Sequence, residues 1–347
     1  MVKIVDRVDR FQRKHSIIGF PLAVIYKYFD DQGPYLAAIV SYYAFIAIFP
    51  VLLLSTSILG FVLQGNPDLR DTLLNSALSQ FPIIGDQLGR PEGLQGSTTA
   101  IVIGAITATY GAMGLGQALQ NAANVAWSVP RNSRANPFLL RFRSLVFLSI
   151  GGIGIAVLAI ATSVLANPDT LGTELEPALK LTSRIVGFAL TVGIFVAIFR
   201  LVSLGRAGIR SVFPGALLTG VLWQALQWVG NTYVREVIGK ANQVNQTFAL
   251  VLGLMAFIYV ATIMVMLGLE LNVVLRRRLW PRALLTPFTD NVSLTAADQK
   301  AYAAYAKSQR HKGFQSVEVT FAEHEQPPEP PVVTASPTLE PQHDEQR

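Results

Sequence analysis

Residues 245–272 read NQTFALVLGLMAFIYVATIMVMLGLELN, and no Asp, Glu, Lys or Arg occurs from Ala241 to Leu269. A helix crosses about 30 Å of hydrocarbon at about 1.5 Å per residue, so about 20 apolar residues suffice. This run is long enough, and it keeps no polar face for water. Four more windows lack charge: Gln32–Pro67, Gly93–Pro130, Ser144–Pro168 and Ser211–Val234. Over the whole chain 51% of residues are hydrophobic and 14% charged, against about 25% charged in soluble domains. A soluble helical bundle of this size needs charges on its exposed faces, which excludes that class. A further segment, Ile185–Phe199, is charge-free but short. A helix over Leu181–Leu204 spans if Arg184 and Arg200 snorkel toward the headgroups. The expected fold is therefore all-α and polytopic, with six transmembrane helices at Tyr35–Leu63, Thr98–Leu119, Leu139–Leu165, Leu181–Leu204, Val212–Tyr233 and Phe248–Leu275. Residues 1–19 are polar and basic rather than a cleavable signal, so the first span is expected to act as an uncleaved anchor.

Basic residues set the expected orientation. One side collects Lys3, Arg7, Arg10, Arg13, Lys14 and Lys27, then Arg131, Arg134, Arg141 and Arg143. Arg200, Arg206, Arg210, Arg276, Arg277, Arg278 and Arg282 join them, seventeen in all. The other side has six: Arg70, Arg90, Lys180, Arg184, Arg235 and Lys240. Both ends are thus expected in the cytoplasm. Three regions follow: 1–34, a cytoplasmic amphipathic N-terminal segment; 35–280, the transmembrane domain; and 281–347, a cytoplasmic tail, disordered from about 313. Val5, Val8 and Phe11 against Arg7, Arg10, Arg13 and Lys14 read as a helix lying at the lipid surface, or else as a solvated basic tail. Asp68–Leu88, between Pro67 and Pro82, reads as a short outward-side helix. In the tail, Thr295 and Asp298 start a helix over Ser293–Arg310 with a capping-box-like pattern, and six prolines between Pro327 and Pro341 mark the disordered end.

Inside the membrane the second span repeats small residues every four positions: Ala100, Gly104, Ala108, Ala112 and Gly116. One smooth face lets another helix approach closely, held by dispersion. Polar groups are costly there and are the candidates for function. Span 1 carries Ser41, Tyr42, Tyr43 and Pro50; the proline removes a backbone donor and is expected to kink the helix. Gln117, Asn121 and Asn124 are spaced for one face of the second span. Gln224, Gln227 and Asn231 are so spaced in the fifth, and Glu270 and Asn272 close the last. Amides between helices often only hydrogen-bond across a bundle. Glu270 is either an ion-pair partner of Arg143, Arg200 or Arg206, or a group on a substrate or proton path. Trp127, Trp223, Trp228 and Trp280 read as interfacial anchors.

Catalysis is poorly supplied. The chain has no cysteine and four histidines, His15, His311, His324 and His343, all in terminal segments. No His/Asp cluster has metal spacing, and no phosphate-binding loop or hydrolase motif is present. The expectation is no enzyme and no cofactor.

Four stretches carry a family resemblance: AAIVSYYAFIAIFPVLLLSTSILGFVL (Ala37–Leu63), QNAANVAWSVPR (Gln120–Arg131), RSVFPGALLTGVLWQALQWVGNTYV (Arg210–Val234) and the last span. Tyr-Tyr then Phe-Pro, Asn and Trp before a basic loop, Pro-Gly opening span 5, and Gly-x-Glu-Leu-Asn closing span 6 resemble the YihY/BrkB family over roughly residues 20–285. One departure is Gln246-Thr247, where many members carry Tyr-Gly. The resemblance implies six helices in a bacterial inner membrane. The family was long labelled a ribonuclease, ribonuclease BN; the missing metal-binding clusters argue against that here.

The functional expectation is an envelope transporter or lipid translocase. The alternative is a non-transporting membrane scaffold, resting on the packing faces, the basic N-terminus and the acidic tail. Expected partners are membrane lipid and a second copy or an envelope protein. Nucleic acid is not among them, because topology accounts for the basic residues.

Overall fold

A computed structural model describes residues 9, 11–62, 98–136, 138–146, 176–203, 207–238, 240, 243–284 and 293–321. Every regular element among the described residues is helical. In chain order these are α1 (Ser16–Asp30), α2 (Gly33–Val62), α3 (Thr98–Ala126), α4 (Glu176–Val202), α5 (Ile209–Tyr233), α6 (Gln243–Arg277) and α7 (Ala296–Ser308). A π-helical turn, Val234–Ile238, extends α5, and residues 138–146 are helical where a third span is expected to begin.

The charge-free run forms α6 from its start to Leu269, and α6 is central among the described helices. It packs against α1, α2, α3 and α5, while α2 carries α3 on one side and α5 carries α4 on the other. A helix in that position needs no polar stripe, since protein or lipid meets it all round. Arg184–Val202, Ile209–Glu236 and Phe248–Arg277 are each long and apolar enough to cross a membrane. The weakly marked fourth segment is thus a 27-residue helix, α4. Exposed apolar side chains fit lipid: Phe213, Leu217, Val221 and Trp228 run down one side of α5. The opposite side buries Val212, Gly215, Ala216, Thr219 and Gly220.

The packing of α5 on α6 depends on two glycines. A Cβ at Gly215 would fall 2.0 Å from the carbonyl oxygen of Gly268, and a Cβ at Gly268 would fall 2.1 Å from Thr219 Oγ1. Between α2 and α6 the Ser41 and Thr262 hydroxyls meet at 2.7 Å. Two of the small residues on the face expected to be smooth in α3 are described. Ala112 and Gly116 are buried, and a Cβ at Gly116 would lie 2.5 Å from Ser144 Cβ. A second close approach comes from other glycines: Gly111 meets Ala47 and Gly114 meets the Tyr43 ring. The side chains of Ala100, Gly104, Ala108 and Pro50 lie outside the described residues, as do the segment Asp68–Leu88 and the tail beyond Phe321. The backbone of α2 is helical through Pro50.

Of the N-terminal segment, Val5, Arg7, Val8 and Arg10 lie outside the described residues, and Asp9 and Gln12 are buried against protein. Asp9 Oδ1 accepts from the Leu284 amide at 3.0 Å, and Gln12 Nε2 donates to the Arg282 carbonyl at 3.2 Å. Tyr26 donates to Gln12 Oε1 at 2.8 Å. Phe11 is exposed instead.

Candidate functional site

Three helices end at one place. α3 and α6 finish in the same way: Ser128 (φ 46°) and Arg278 (φ 55°) take the left-handed conformation. The amides of Val129 and Leu279 then reach back to the carbonyls of Asn124 (2.8 Å) and Val274 (3.1 Å). This is the Schellman arrangement, with the following apolar residue buried in each case. α1 ends at Asp30 with Asp31 as its cap, and Gln32 (φ 56°) turns the chain into α2. These ends surround Lys27, Asp31 and Glu270, whose side chains are at most 1% exposed.

Lys27 and Asp31 sit one turn apart on α1, on the face that also buries Ala23, Val24 and Tyr28. Their ammonium and carboxylate are in direct contact. Lys27 Nζ also donates to the Ala126 carbonyl at 3.1 Å, one of the carbonyls left free at the end of α3. Glu270 Oε2 lies 3.5 Å away, and neither oxygen of Glu270 accepts a hydrogen bond. Tyr305 of α7 donates its hydroxyl to Asp31, and its ring centre is 5.4 Å from Lys27 Nζ. Burial first, then the Glu270 carboxyl, pushes the Asp31 carboxyl well above its ordinary range. Burial likewise raises the Tyr28 phenol to about 12. Arg277 donates to the Trp127 carbonyl and places its guanidinium 6.0 Å from the Trp127 ring centre.

A second ion cluster lies beside the first. Arg282 Nε donates to Asp298 Oδ1 at 2.6 Å, and its Nη2 to Asp30 Oδ2 at 2.8 Å. The expected capping box is formed: the Thr295 side chain accepts from the Asp298 amide, and Asp298 Oδ2 accepts from the Thr295 amide. Asp298 thus caps α7 and holds Arg282 at once. It also accepts from the Ala283 amide at 2.9 Å.

The residues singled out in the sequence divide. Glu270 belongs to the buried cluster, where its cation among the described residues is Lys27; Arg200 is exposed and Arg206 lies outside the described residues. Asn272, two residues on, points about 200° round the helix. Its Oδ1 accepts from the Gly215 amide at 2.8 Å, so it serves the α5–α6 joint. Gln117, Asn121 and Asn124 do not act as one face. Asn124 is buried, whereas Gln117 is exposed and Asn121 is exposed and bonded to Arg134. The buried amide beside Asn124 is Gln120, bonded to Ser144 Oγ at 3.1 Å. Gln224 sits in the exposed stripe of α5 between Val221 and Trp228. Tyr43 is a packing residue on Gly114. Trp127 and Trp223 pack in the bundle; only Trp228 among the four is strongly exposed. Lys27, Asp31, Arg282, Asp298 and Tyr305 were not singled out as a site. The Lys27–Asp31 spacing of four residues, just before a charge-free window, is the signal that marks them.

The family model described as Virulence factor BrkB matches residues 24–288. That range holds Lys27, Asp31, Glu270 and Arg282; α7 lies beyond it. "Inner membrane protein YhjD" of Escherichia coli (strain K12) is 22% identical over 276 residues, which is 74% of this chain and 80% of that protein. No solved structure matches significantly. With the match running from α1 past the end of α6, and with apolar helices throughout it, the chain belongs to the BrkB family of multi-pass inner-membrane proteins.

Proposed function

We propose that this protein is a non-enzymatic transporter or lipid translocase of the bacterial envelope, with six spans and both ends in the cytoplasm. The observation that carries the reading is the fully buried Lys27–Asp31–Glu270 cluster at one end of the bundle. A structural bundle gains little from such a cluster, because desolvating three charges costs more than apolar packing of the same volume. Glu270 lies within the last span, and ionisable groups there are characteristic of substrate and ion paths.

The orientation has independent support. Segments assigned to one side by their basic residues meet at one end. Arg131 Nε donates to Gln309 Oε1 at 3.1 Å, the Asn132 amide to the Arg310 carbonyl at 3.2 Å, and Arg13 Nη2 to the Ser293 carbonyl at 2.6 Å. The cysteine-free chain makes a direct test simple. In intact spheroplasts Ser133→Cys, on an exposed residue, is expected to resist an impermeant maleimide, and Gly93→Cys to react. The opposite pattern would invert the topology.

Transport itself is tested by reconstituting the pure chain in liposomes and following labelled lipids and small anionic solutes. Flux above empty liposomes is expected, reduced about tenfold in Glu270→Gln, equivalent to about 1.4 kcal/mol of barrier. Absence of flux across the panel rejects the reading and leaves the scaffold alternative.

A further inference from the structure

Three buried groups at the inner end of the bundle do not balance in charge. Lys27 supplies one ammonium to two carboxyls, and all three side chains are at most 1% exposed. Asp31 is well supplied with donors, from Lys27 and from the Tyr305 hydroxyl. Glu270 has none among the described residues: both its oxygens are buried without a hydrogen-bond partner there, and the Lys27 ammonium stands off at 3.5 Å. A buried carboxylate in that state bears a desolvation cost that a proton removes. Two carboxyls that share one ammonium in a dry site cannot both ionise freely.

The geometry points to a proton-binding site in which Asp31 and Glu270 hold one proton between them, with Lys27 as the counter-charge. Protonated, the trio is neutral: one ammonium, one carboxylate, one carboxylic acid. With the proton on Asp31, the acid O–H is directed at Glu270 and supplies the donor that Glu270 otherwise lacks, and no other group changes its charge.

The neighbours do not displace that proton. On α1, Asp30 is turned to Arg282, and the Tyr28 phenol is neutral at physiological pH. On α6, Arg277 donates to the Trp127 carbonyl and faces the Trp127 ring, and its charge also interacts with Asp31 from outside the trio. On α7, Tyr305 is a donor to Asp31. α3 contributes the Ala126 carbonyl, which stabilises the ammonium. The folded site binds its proton more tightly than the unfolded chain, since the Asp31 carboxyl is raised. Its contribution to stability is therefore present at acid pH and is lost as pH rises through the raised value. Use of this proton to drive transport rests on the transporter reading; the presence of the proton does not.

The test is infrared spectroscopy of the full-length chain in lipid nanodiscs, with no cargo added. At pH 7 the wild type is expected to show the C=O stretch of a protonated carboxyl, lost in one step on raising the pH. Asp31→Asn and Glu270→Gln each leave one carboxylate opposite Lys27, so the band is expected to vanish in both. A wild type without the band at pH 7 overturns the proposal, and this outcome needs no variant to fold. A band that survives in either variant places the proton elsewhere and overturns it too. Because nothing is transported in this measurement, a null flux experiment and a null spectrum are separate results.

Discussion

Gly215→Val is expected to prevent recovery of folded protein, or to lower its unfolding midpoint by the equivalent of about 3 kcal/mol or more. The new Cβ would lie 2.0 Å from the Gly268 carbonyl oxygen and 2.4 Å from Asn272 Nδ2. The first of these is backbone of the central helix, so no rotamer change relieves it, and α5 and α6 must separate. Overpacking costs about 1–3 kcal/mol and occasionally more. Separation also breaks the 2.8 Å hydrogen bond from the Gly215 amide to Asn272, a further loss of about 1 kcal/mol. Lipid offers no hydrophobic drive to bring the helices back together, since close packing is what holds them. Pro214 adds to the dependence: it has no amide hydrogen, so the helix around Gly215 already lacks one internal bond. Gly193→Ala is the control, because a Cβ there meets nothing within 4 Å. It is expected to be neutral or to stabilise by about 0.5–1 kcal/mol, the usual gain from replacing a mid-helix glycine. Denaturant midpoints in detergent micelles read both. A Gly215→Val chain with the wild-type midpoint would contradict the close crossing.

The same crossing shows what a sequence of this kind reveals. The Pro-Gly of α5 and the Gly-x-Glu-Leu-Asn of α6 are visible as motifs, and the structure joins them through Gly215, Gly268 and Asn272. Helix positions are legible because hydrocarbon imposes long charge-free runs. The capping pair Thr295 and Asp298 is legible because its chemistry is local. The facing of a helix is much less so. In water a polar face marks the outside, but lipid is as apolar as the interior, and α5 is apolar on both sides. Gln224 therefore reads as an interior amide and lies in the exposed stripe. Asn124 and Gln120 are buried while Gln117 is exposed, although spacing alone groups Gln117 with Asn124. Long-range partners are the hardest of all. Lys27 counts as one more inner-side cation until α1 is seen to fold back against α6, which brings it within 3.5 Å of a residue 243 positions away.

Arg282→Met is expected to release α7 from the bundle, at a cost of about 3–5 kcal/mol to its docking. Arg282 is 2% exposed and bridges two acids, Asp298 at 2.6 Å and Asp30 at 2.8 Å, with its guanidinium 5.3 Å from the Tyr302 ring centre. Methionine fills much of the volume but leaves both carboxylates without their cation. Asp298 is fully buried, so the charge must be neutralised or return to water. Asp30 has the first route open: burial already raises its carboxyl, and Arg282 is the main group opposing that. Asp298 has a harder choice, since protonation weakens the capping box that starts α7. The lower-energy response is for α7 to leave, taking Tyr305 away from Asp31. Limited proteolysis after Lys300 or Lys307 reads this directly, with cleavage expected to be fast in Arg282→Met and slow in the wild type. Asp298→Asn separates charge from capping. It keeps an oxygen for the Thr295 amide and leaves Arg282 paired with Asp30 alone, so its effect should be the smaller of the two. Equal protection of α7 in Arg282→Met and wild type would mean that its apolar contacts, centred on Ala297 and Ala301, hold it without the ion cluster. Given how little surface those two alanines bury, the ion cluster is the stronger tether.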